Sequence, residues 1–544
     1  MKSVAVIGAG VSGLIAARHF LEDGWKVTVY EAGSEIGGVW SRASEFTCLQ
    51  SPTKGYAIPG TAHETASEFA SREELQRYFS GFAATHLGRA LFVFRTRVVS
   101  LVRDVEAAQW RLSLVDWTGA VSEQIVDFVV SAQGVFSGPV NMPLIEGVDV
   151  FEGPVIHSTS VTRSLLTNCK SVVIVGAGKT SLDCLHLHSS ISTSHRTHWV
   201  FRKAVWYHPL RMGGIFPILS LLGYRLIFTP LSVLWRLANE REYPVKKEEN
   251  DVDDALEEGD AKGWTRLLLL YKTKKKKVDS GPSWFVRYLM GYRNGDSFRP
   301  TSSLAKQCTT AIQPPGLLDK IRNGVIQAHA NTTITKFSPR TVHLSNDTQI
   351  DNVDAVVFAT GTTQSMIVPN GFEHLVEHGG VFLYRHLVHP DIPDMVFLQG
   401  LGSNMTPTTI SIALHWTTSL LRNEIKLPPK ETQLEEIKKI KKESLKACTD
   451  NAINAANSVH FYKFCDQICL DLGISPLRKL KLWGRWAKWN PVAWLHEFFG
   501  EYVPEDYSFG VVDEEVRVAA AARRCIDTST SVASASLMGV AREE

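Results

Sequence analysis

The chain has 544 residues, 44% of them hydrophobic and 21% charged, the balance of an ordinary globular protein with room for two or more buried cores. Lys plus Arg number 58 and Asp plus Glu 56, so a net charge of +2 excludes the electrostatic footprint of a nucleic-acid partner. The eight cysteines, at 48, 169, 184, 308, 448, 465, 469 and 525, include no CxxC pair, which implies reduced thiols, a cytoplasmic chain and no metal site. Met1 and Lys2 lead directly into the apolar run 4–7, without a signal-peptide pattern. That run predicts a strand buried on both faces. Gly8, Gly10 and Gly13 follow as GxGxxG, and 14–22 has helical spacing ended by Gly24. The next strand, 26–31, closes on Glu31, 18 residues after Gly13. In a dinucleotide site Gly8 permits the turn, Gly10 admits the pyrophosphate to the backbone, and Gly13 lets helix and strand pack closely. The helix N-terminus supplies donors to the phosphates, and a carboxylate at Glu31 accepts from a ribose hydroxyl.

Gly37, Gly38 and Trp40 then form a GGxW element. This tail resembles the FAD-binding half of the flavin-containing monooxygenases. "CLQSPTKGY", 48–56, is similar to the LQSP element of plant-type members, and that resemblance places Gln50 and Ser51 near the flavin and nicotinamide rings. Residues 127–139 and 354–365 read as strand-to-glycine crossovers between two domains. The second carries the ATG element of this superfamily in Ala359, Thr360 and Gly361. Phe151, Gly153 and His157 form FxGxxxH, which resembles the fingerprint shared by flavin-containing and Baeyer–Villiger monooxygenases. An aromatic usually follows that histidine by four; here the position is Val161, which disfavours the Baeyer–Villiger subclass. Apart from the resemblance, His157 is expected to hold the linker between the domains rather than to act as a base.

A second glycine turn begins at Gly176. The strand 172–175 runs into Gly176, Gly178 and Ser181 as GxGxxS, a helix follows, and the next strand ends in Arg202 and Lys203. A carboxylate at such a strand end favours a free 2′-hydroxyl, whereas cations favour a 2′-phosphate. The first site therefore reads as FAD and the second as NADPH, and together they imply hydride transfer from nicotinamide to flavin. The fold class that follows is α/β, with two Rossmann-like dinucleotide-binding domains, a helical insertion and a helical C-terminal extension. The expected boundaries are 1–165 for the first part of the FAD domain and 166–340 for the NADPH domain, with an insertion at about 204–302. The FAD domain returns over 341–425, helices extend over 426–510, and 511–544 is a poorly ordered tail.

The resemblance implies a mechanism. NADPH reduces FAD, reduced flavin takes up O2 as a C4a-hydroperoxide, and a soft nitrogen or sulfur nucleophile on a small molecule attacks its distal oxygen. Positioning and dryness do the work. No GxSxG is present, which disfavours a hydrolase. A Baeyer–Villiger enzyme acting on a ketone and a non-catalytic FAD/NADPH sensor remain the alternatives. A thiol–disulfide reductase would need a cysteine pair beside the flavin, and Cys48 stands alone there. Within the insertion, 215–237 is long enough to span a membrane but carries Pro217, Gly223, Arg225 and Pro230. A lid over the active site, or a segment in peripheral contact with a membrane surface, fits it better.

Overall fold

The computed structural model describes residues 1–61, 63, 67–209, 211–212, 216–217, 293, 296–298, 310–363, 366–403, 405–447 and 456–474. Apart from residues 216–217, the expected lid at 215–237 lies outside them. So do the acidic and basic blocks that follow it and everything after residue 474, including the tail.

In chain order the first unit contains β1 (Ser3–Ile7), α1 (Val11–Glu22), β2 (Lys26–Tyr30), the short α2 (Val39–Arg42), α3 (Arg72–His86) and β3 (Leu91–Val93). A meander follows, β4 (Thr96–Asp104), β5 (Gln109–Asp116) and β6 (Val121–Val126), and then β7 (Phe128–Ser131). The second unit holds β8 (Val155–His157), α4 (Arg163–Asn168), β9 (Ser171–Val175), α5 (Lys179–Ile191) and β10 (Arg196–Phe201). It continues through β11 (Trp206–Pro209), β12 (Arg211–Met212), β13 (Phe216–Pro217), β14 (Thr310–Gln313), α6 (Leu317–Arg322) and β15 (Ile326–Ala330). A meander of β16 (Ile334–Ser338), β17 (Thr341–Leu344) and β18 (Gln349–Asp351) leads into β19 (Ala355–Phe358). The chain then returns through β20 (Val376–Glu377), β21 (Gly380–Val381), β22 (Met395–Phe397), α7 (Thr406–Leu421), α8 (Lys430–Ala447) and α9 (Phe461–Asp471).

The sheets are built to one plan. The first runs β22-β7-β1-β2-β3 and the second β15-β10-β9-β19-β8, with every pairing parallel. Alternation along β1 explains its unbroken apolar run. Val4 and Val6 pack with Leu14, Phe20 and Phe79 of the helices. Ala5 and Ile7 pack with Leu101, Trp110 and Leu112 of the meander. Both faces are covered, so residues 4–7 carry no polar side chain. β9 repeats the arrangement. Val172 and Ile174 meet Leu182 and Leu185 of α5, while Val173 meets Phe337 and Val342 of the second meander.

Two strands lie outside the expected boundaries. β8 and β19 belong to the second sheet, so that sheet draws on strands from Val155 to Phe358. The reason is pairing: β19 sits between β9 and β8, and the return to the first sheet is made only at β22.

Helices α8 and α9 fall in the expected C-terminal extension. They are tied down by Arg385, which bonds Glu436 Oε2 on α8 at 2.5 Å and chelates Asp471 on α9 at 2.8 and 3.1 Å. Trp416 Nε1 of α7 donates to the same carboxylate at 3.0 Å. Cys48, Cys169, Cys184, Cys465 and Cys469 are all free thiols. Among the described residues no helix is long and apolar enough to cross a membrane, and no cluster of side chains is arranged to hold a metal.

Candidate active site: two glycine turns and the segments that join them

The first turn is made by backbone. Gly8 has a φ of +106°, and its N–H donates to Tyr30 O at 2.8 Å, which closes the turn against β2. A Cβ on Gly13 would stand 1.9 Å from Gly8 O, so helix and strand approach as closely as glycine alone allows. Gly10 faces Gly38: a Cβ on Gly10 would meet only the Gly38 Cα, at 3.6 Å. Two bare backbones thus line the space ahead of α1, whose N-cap is Gly10 and has no side-chain cap. An uncapped helix start edged by glycine suits a phosphate.

Glu31 lies at the end of β2. Its Oε2 accepts from Ala9 N at 2.8 Å and its Oε1 from Gly33 N at 2.6 Å. These bonds pin the carboxylate beside the turn and leave each oxygen a second lone pair for a ribose hydroxyl. Trp40 is held by its Nε1 donating to Tyr56 OH at 3.1 Å, and its carbonyl accepts from Arg72 Nε at 3.0 Å. The expected residues Gly8, Gly10, Gly13, Glu31, Gly38 and Trp40 therefore converge on one place, and their geometry fits a flavin dinucleotide.

The second turn has the same frame with more room. Gly176 has a φ of +126°, and its N–H donates to Val200 O at 2.9 Å. A Cβ on Gly178 would meet nothing within 4 Å. Ser181, at the place of Gly13, is fully buried and donates its hydroxyl to Gly178 O at 2.6 Å. The register refines the cation positions. Ile7 pairs with Tyr30 and Val175 with Val200, so Glu31 corresponds to the buried Phe201, and Arg202 stands one residue further on. Arg202 and Lys203 are both exposed in the bend after β10. This site fits a dinucleotide, and its cations fit a 2′-phosphate.

The segments between the turns carry the remaining residues. The two crossovers run side by side through a bridge between Val140 and Thr362. Gly361 O accepts from Asn141 N at 2.9 Å and from His157 Nε2 at 2.9 Å. His157 Nδ1 accepts from Thr159 N at 3.3 Å, which assigns the proton to Nε2. Burial holds the imidazole below its ordinary pKa. His157 and Gly361 thus tie the crossovers together. Val161 is buried among Leu166 and Leu182 in the core of the second unit.

Gln50 reaches across the units: its Oε1 accepts from Ile312 N of β14 at 3.0 Å. Ser51 is half-buried beside it. Cys48, two residues earlier, feels the charges of Lys179 and Asp183 on α5, and burial raises its thiol pKa. Lys179 and Asp183 form a sheltered i,i+4 ion pair at the start of α5. Their spacing after the second glycine turn is the signal that would have marked them in the sequence.

The comparisons agree with this architecture. The sequence pattern of the flavin-binding monooxygenase-like family matches residues 1–206 and 288–508. The probable flavin-containing monooxygenase 1 of Arabidopsis thaliana is 24% identical over 569 residues, covering 94% of this chain and 97% of its own. Among solved structures, an oxidized steroid monooxygenase bound to NADP superposes with a TM-score of 0.59 at 18% identity, over 86% of this chain and 97% of its own. The S-allyl-L-cysteine S-oxygenase of Allium sativum does so with a TM-score of 0.55 at 15% identity, over 97% and 99%. At these identities the two structures speak for the shared fold. The family match covers most of the chain and includes both glycine turns, so the chain belongs to the flavin-binding monooxygenase-like family.

Proposed function

We propose that this flavin monooxygenase consumes NADPH and O2 to oxygenate a small soft nucleophile at nitrogen or sulfur. The observation that carries the cofactor pair is the contrast at the two strand ends. A carboxylate, Glu31, is pinned beside the first turn. Two exposed cations, Arg202 and Lys203, follow the strand at the second. Bound NADPH supplies the hydride, and bound FAD carries it and activates O2.

The chain's own part is to bind, align and keep dry. Gly10 and Gly38 admit one pyrophosphate to bare backbone, and Gly178 leaves space for the other. Gln50 fixes the 48–51 loop against β14, so the first unit's loop keeps its place beside the second unit. His157 and Gly361 hold the crossovers that set the two sheets against each other. Nitrogen or sulfur as the oxygenated atom is supported by relatives named for such chemistry, among them the Allium S-oxygenase and a rabbit N-oxide-forming dimethylaniline monooxygenase.

The test is steady-state turnover of the FAD-loaded enzyme with a panel of tertiary amines, sulfides and ketones. NADPH oxidation, peroxide release and product mass are followed together. The reading expects oxygenated amine or sulfide in proportion to NADPH consumed. Ester from a ketone as the main product would move the enzyme to the Baeyer–Villiger class, and NADPH binding without O2-dependent turnover would make it a sensor.

A further inference from the structure

The segment 44–50 belongs to the first unit by its anchors. Leu49 is buried in the first core, and its N–H donates to Ala70 O at 2.9 Å. Thr47 O accepts from Arg72 N at 3.0 Å, and Cys48 forms a β-bridge with Ser71. The Arg72 side chain also donates to Trp40 O at 3.0 Å and to Ser41 O at 2.8 Å. The segment is therefore fastened to the GGxW element at the first turn.

Three of its side chains pass to the other unit. Glu45 Oε1 accepts from the N–H of Arg163, the first residue of α4, at 2.6 Å. Phe46 packs against the second core, which contains Leu166 of α4 and Leu182 and Leu185 of α5. Among the described residues it is the one member of the first unit in that core. Gln50 Oε1 accepts from Ile312 N of β14. A single contact between two bodies lets one turn about it, whereas contacts on separate elements fix both distance and angle. α4 packs on α5, and α5 starts at the second glycine turn. The segment thus joins the two nucleotide turns by a short path. A hydride, and no other group, passes from NADPH to FAD, giving NADP+ and the reduced flavin anion. It passes only between rings held in near contact, and a misplacement of about 1 Å can cost about a hundredfold in rate.

We infer that Glu45 and Phe46 are positioning residues for this reduction. They dock 44–50 on the second unit and so hold the nicotinamide of bound NADPH against the flavin. The inference rests on the FAD and NADPH assignments and is independent of which substrate is oxygenated.

The test mixes the FAD-loaded enzyme anaerobically with NADPH and follows the loss of flavin absorbance over a range of NADPH concentrations. Phe46→Ala should lower the limiting rate about tenfold to a hundredfold, and Glu45→Ala about threefold to tenfold. The half-saturating NADPH concentration, the NADP+ affinity by calorimetry and the flavin content should stay at the wild-type level. Glu45→Gln keeps an oxygen acceptor and Phe46→Leu an apolar plug, and each should recover most of the rate. Hydrogen exchange adds a readout that needs no turnover: the amides of Arg163 and Ile312 should exchange faster in Phe46→Ala, with β1 and β9 unchanged. If Phe46→Ala does not fold, Glu45→Ala, at an exposed position, decides the matter. Wild-type limiting rates in the alanine variants overturn the inference. So does a parallel fall in NADP+ affinity and flavin content, which would make the segment a support of the two turns. A wild-type flavin that NADPH does not reduce removes the cofactor assignment, and the inference with it.

Discussion

At the first turn a single added carbon on residue 13 would overlap the Gly8 carbonyl oxygen at 1.9 Å. At the second turn the corresponding residue, Ser181, carries a full side chain with its hydroxyl on Gly178 O. The strands and the left-handed glycines are alike in both units, so the difference lies in how closely each helix approaches its strand. The tighter turn is pinned by Glu31 through Ala9 N and Gly33 N. In the wider turn the equivalent place is Phe201, which faces the core, and charge is supplied instead by Lys179, Asp183 and the exposed Arg202 and Lys203. The proposed function has the first unit holding its nucleotide mainly with backbone and one carboxylate, and the second mainly with side-chain charge. The first arrangement suits a cofactor that stays, and the second one that comes and goes.

The largest expected effect breaks the comparison at the frame. Gly13→Ala forces backbone apart, at a cost of several kcal/mol, and should yield little folded protein. Gly10→Val and Gly178→Val then separate frame from ligand, since an added Cβ at either place meets no clash in the fold itself. Gly10→Val should fold and lose its flavin, which the absorbance ratio of the purified protein reports. Gly178→Val should stay yellow and lose NADP+ in an equilibrium titration. A yellow Gly10→Val protein with full flavin occupancy would overturn the assignment of the first site.

Next in size is Arg202→Glu with Lys203→Ser. Losing one or two charge-assisted phosphate contacts should raise the apparent constant for NADPH by roughly tenfold to several hundredfold, with NADH little changed. Steady-state oxidation of both nucleotides is the measurement. Equal losses for NADPH and NADH would show that these residues serve the fold, and no loss for either would place the 2′-phosphate elsewhere.

How much of this was legible in the sequence follows from what each feature depends on. Buried strands and glycine turns are local, so Val4–Ile7, Gly8, Gly176 and Glu31 could be read from spacing. Sheet membership depends on pairing between distant segments. Val155–His157 and Ala355–Phe358 join the second sheet through such pairing, which no local pattern marks. The same limit hid the offset of Arg202 by one register position. The resemblance puts Gln50 near the flavin and nicotinamide rings, but its partner across the units, Ile312, lies 262 residues away and has no local signal.

His157→Asn probes the joint between the units and should cost about 1–3 kcal/mol for the buried bond to Gly361 O. That corresponds to a fall in Tm of several degrees. The effect carries a sign in pH. The folded imidazole is held below its ordinary value by burial, so the unfolded chain takes up a proton that the folded chain refuses. The wild type therefore loses this contribution as pH falls below about 6.5. The gap in Tm between wild type and variant should be wider near pH 8 than near pH 5.5. A gap that widens on acidification would mean that the folded state binds the proton, and that His157 is an imidazolium facing a negative group.

The smallest effect sharpens the comparison most. Ser181→Ala keeps the carbon that Gly13 cannot accept and removes only the hydroxyl that reaches Gly178 O. The bond is short, buried and local, so its loss should cost about 1 kcal/mol and lower Tm by a few degrees at most. Flavin content and NADP+ affinity should not change, because the hydroxyl is turned toward the turn's own backbone and away from the space ahead of Gly178. Calorimetric titration beside a thermal melt reads both quantities on one preparation. A marked fall in NADP+ affinity with an unchanged melt would mean that Ser181 rotates onto the nucleotide when it binds. The second turn would then add a hydroxyl to its side-chain contacts, and the contrast with the bare first turn would be larger than the nucleotide-free geometry shows.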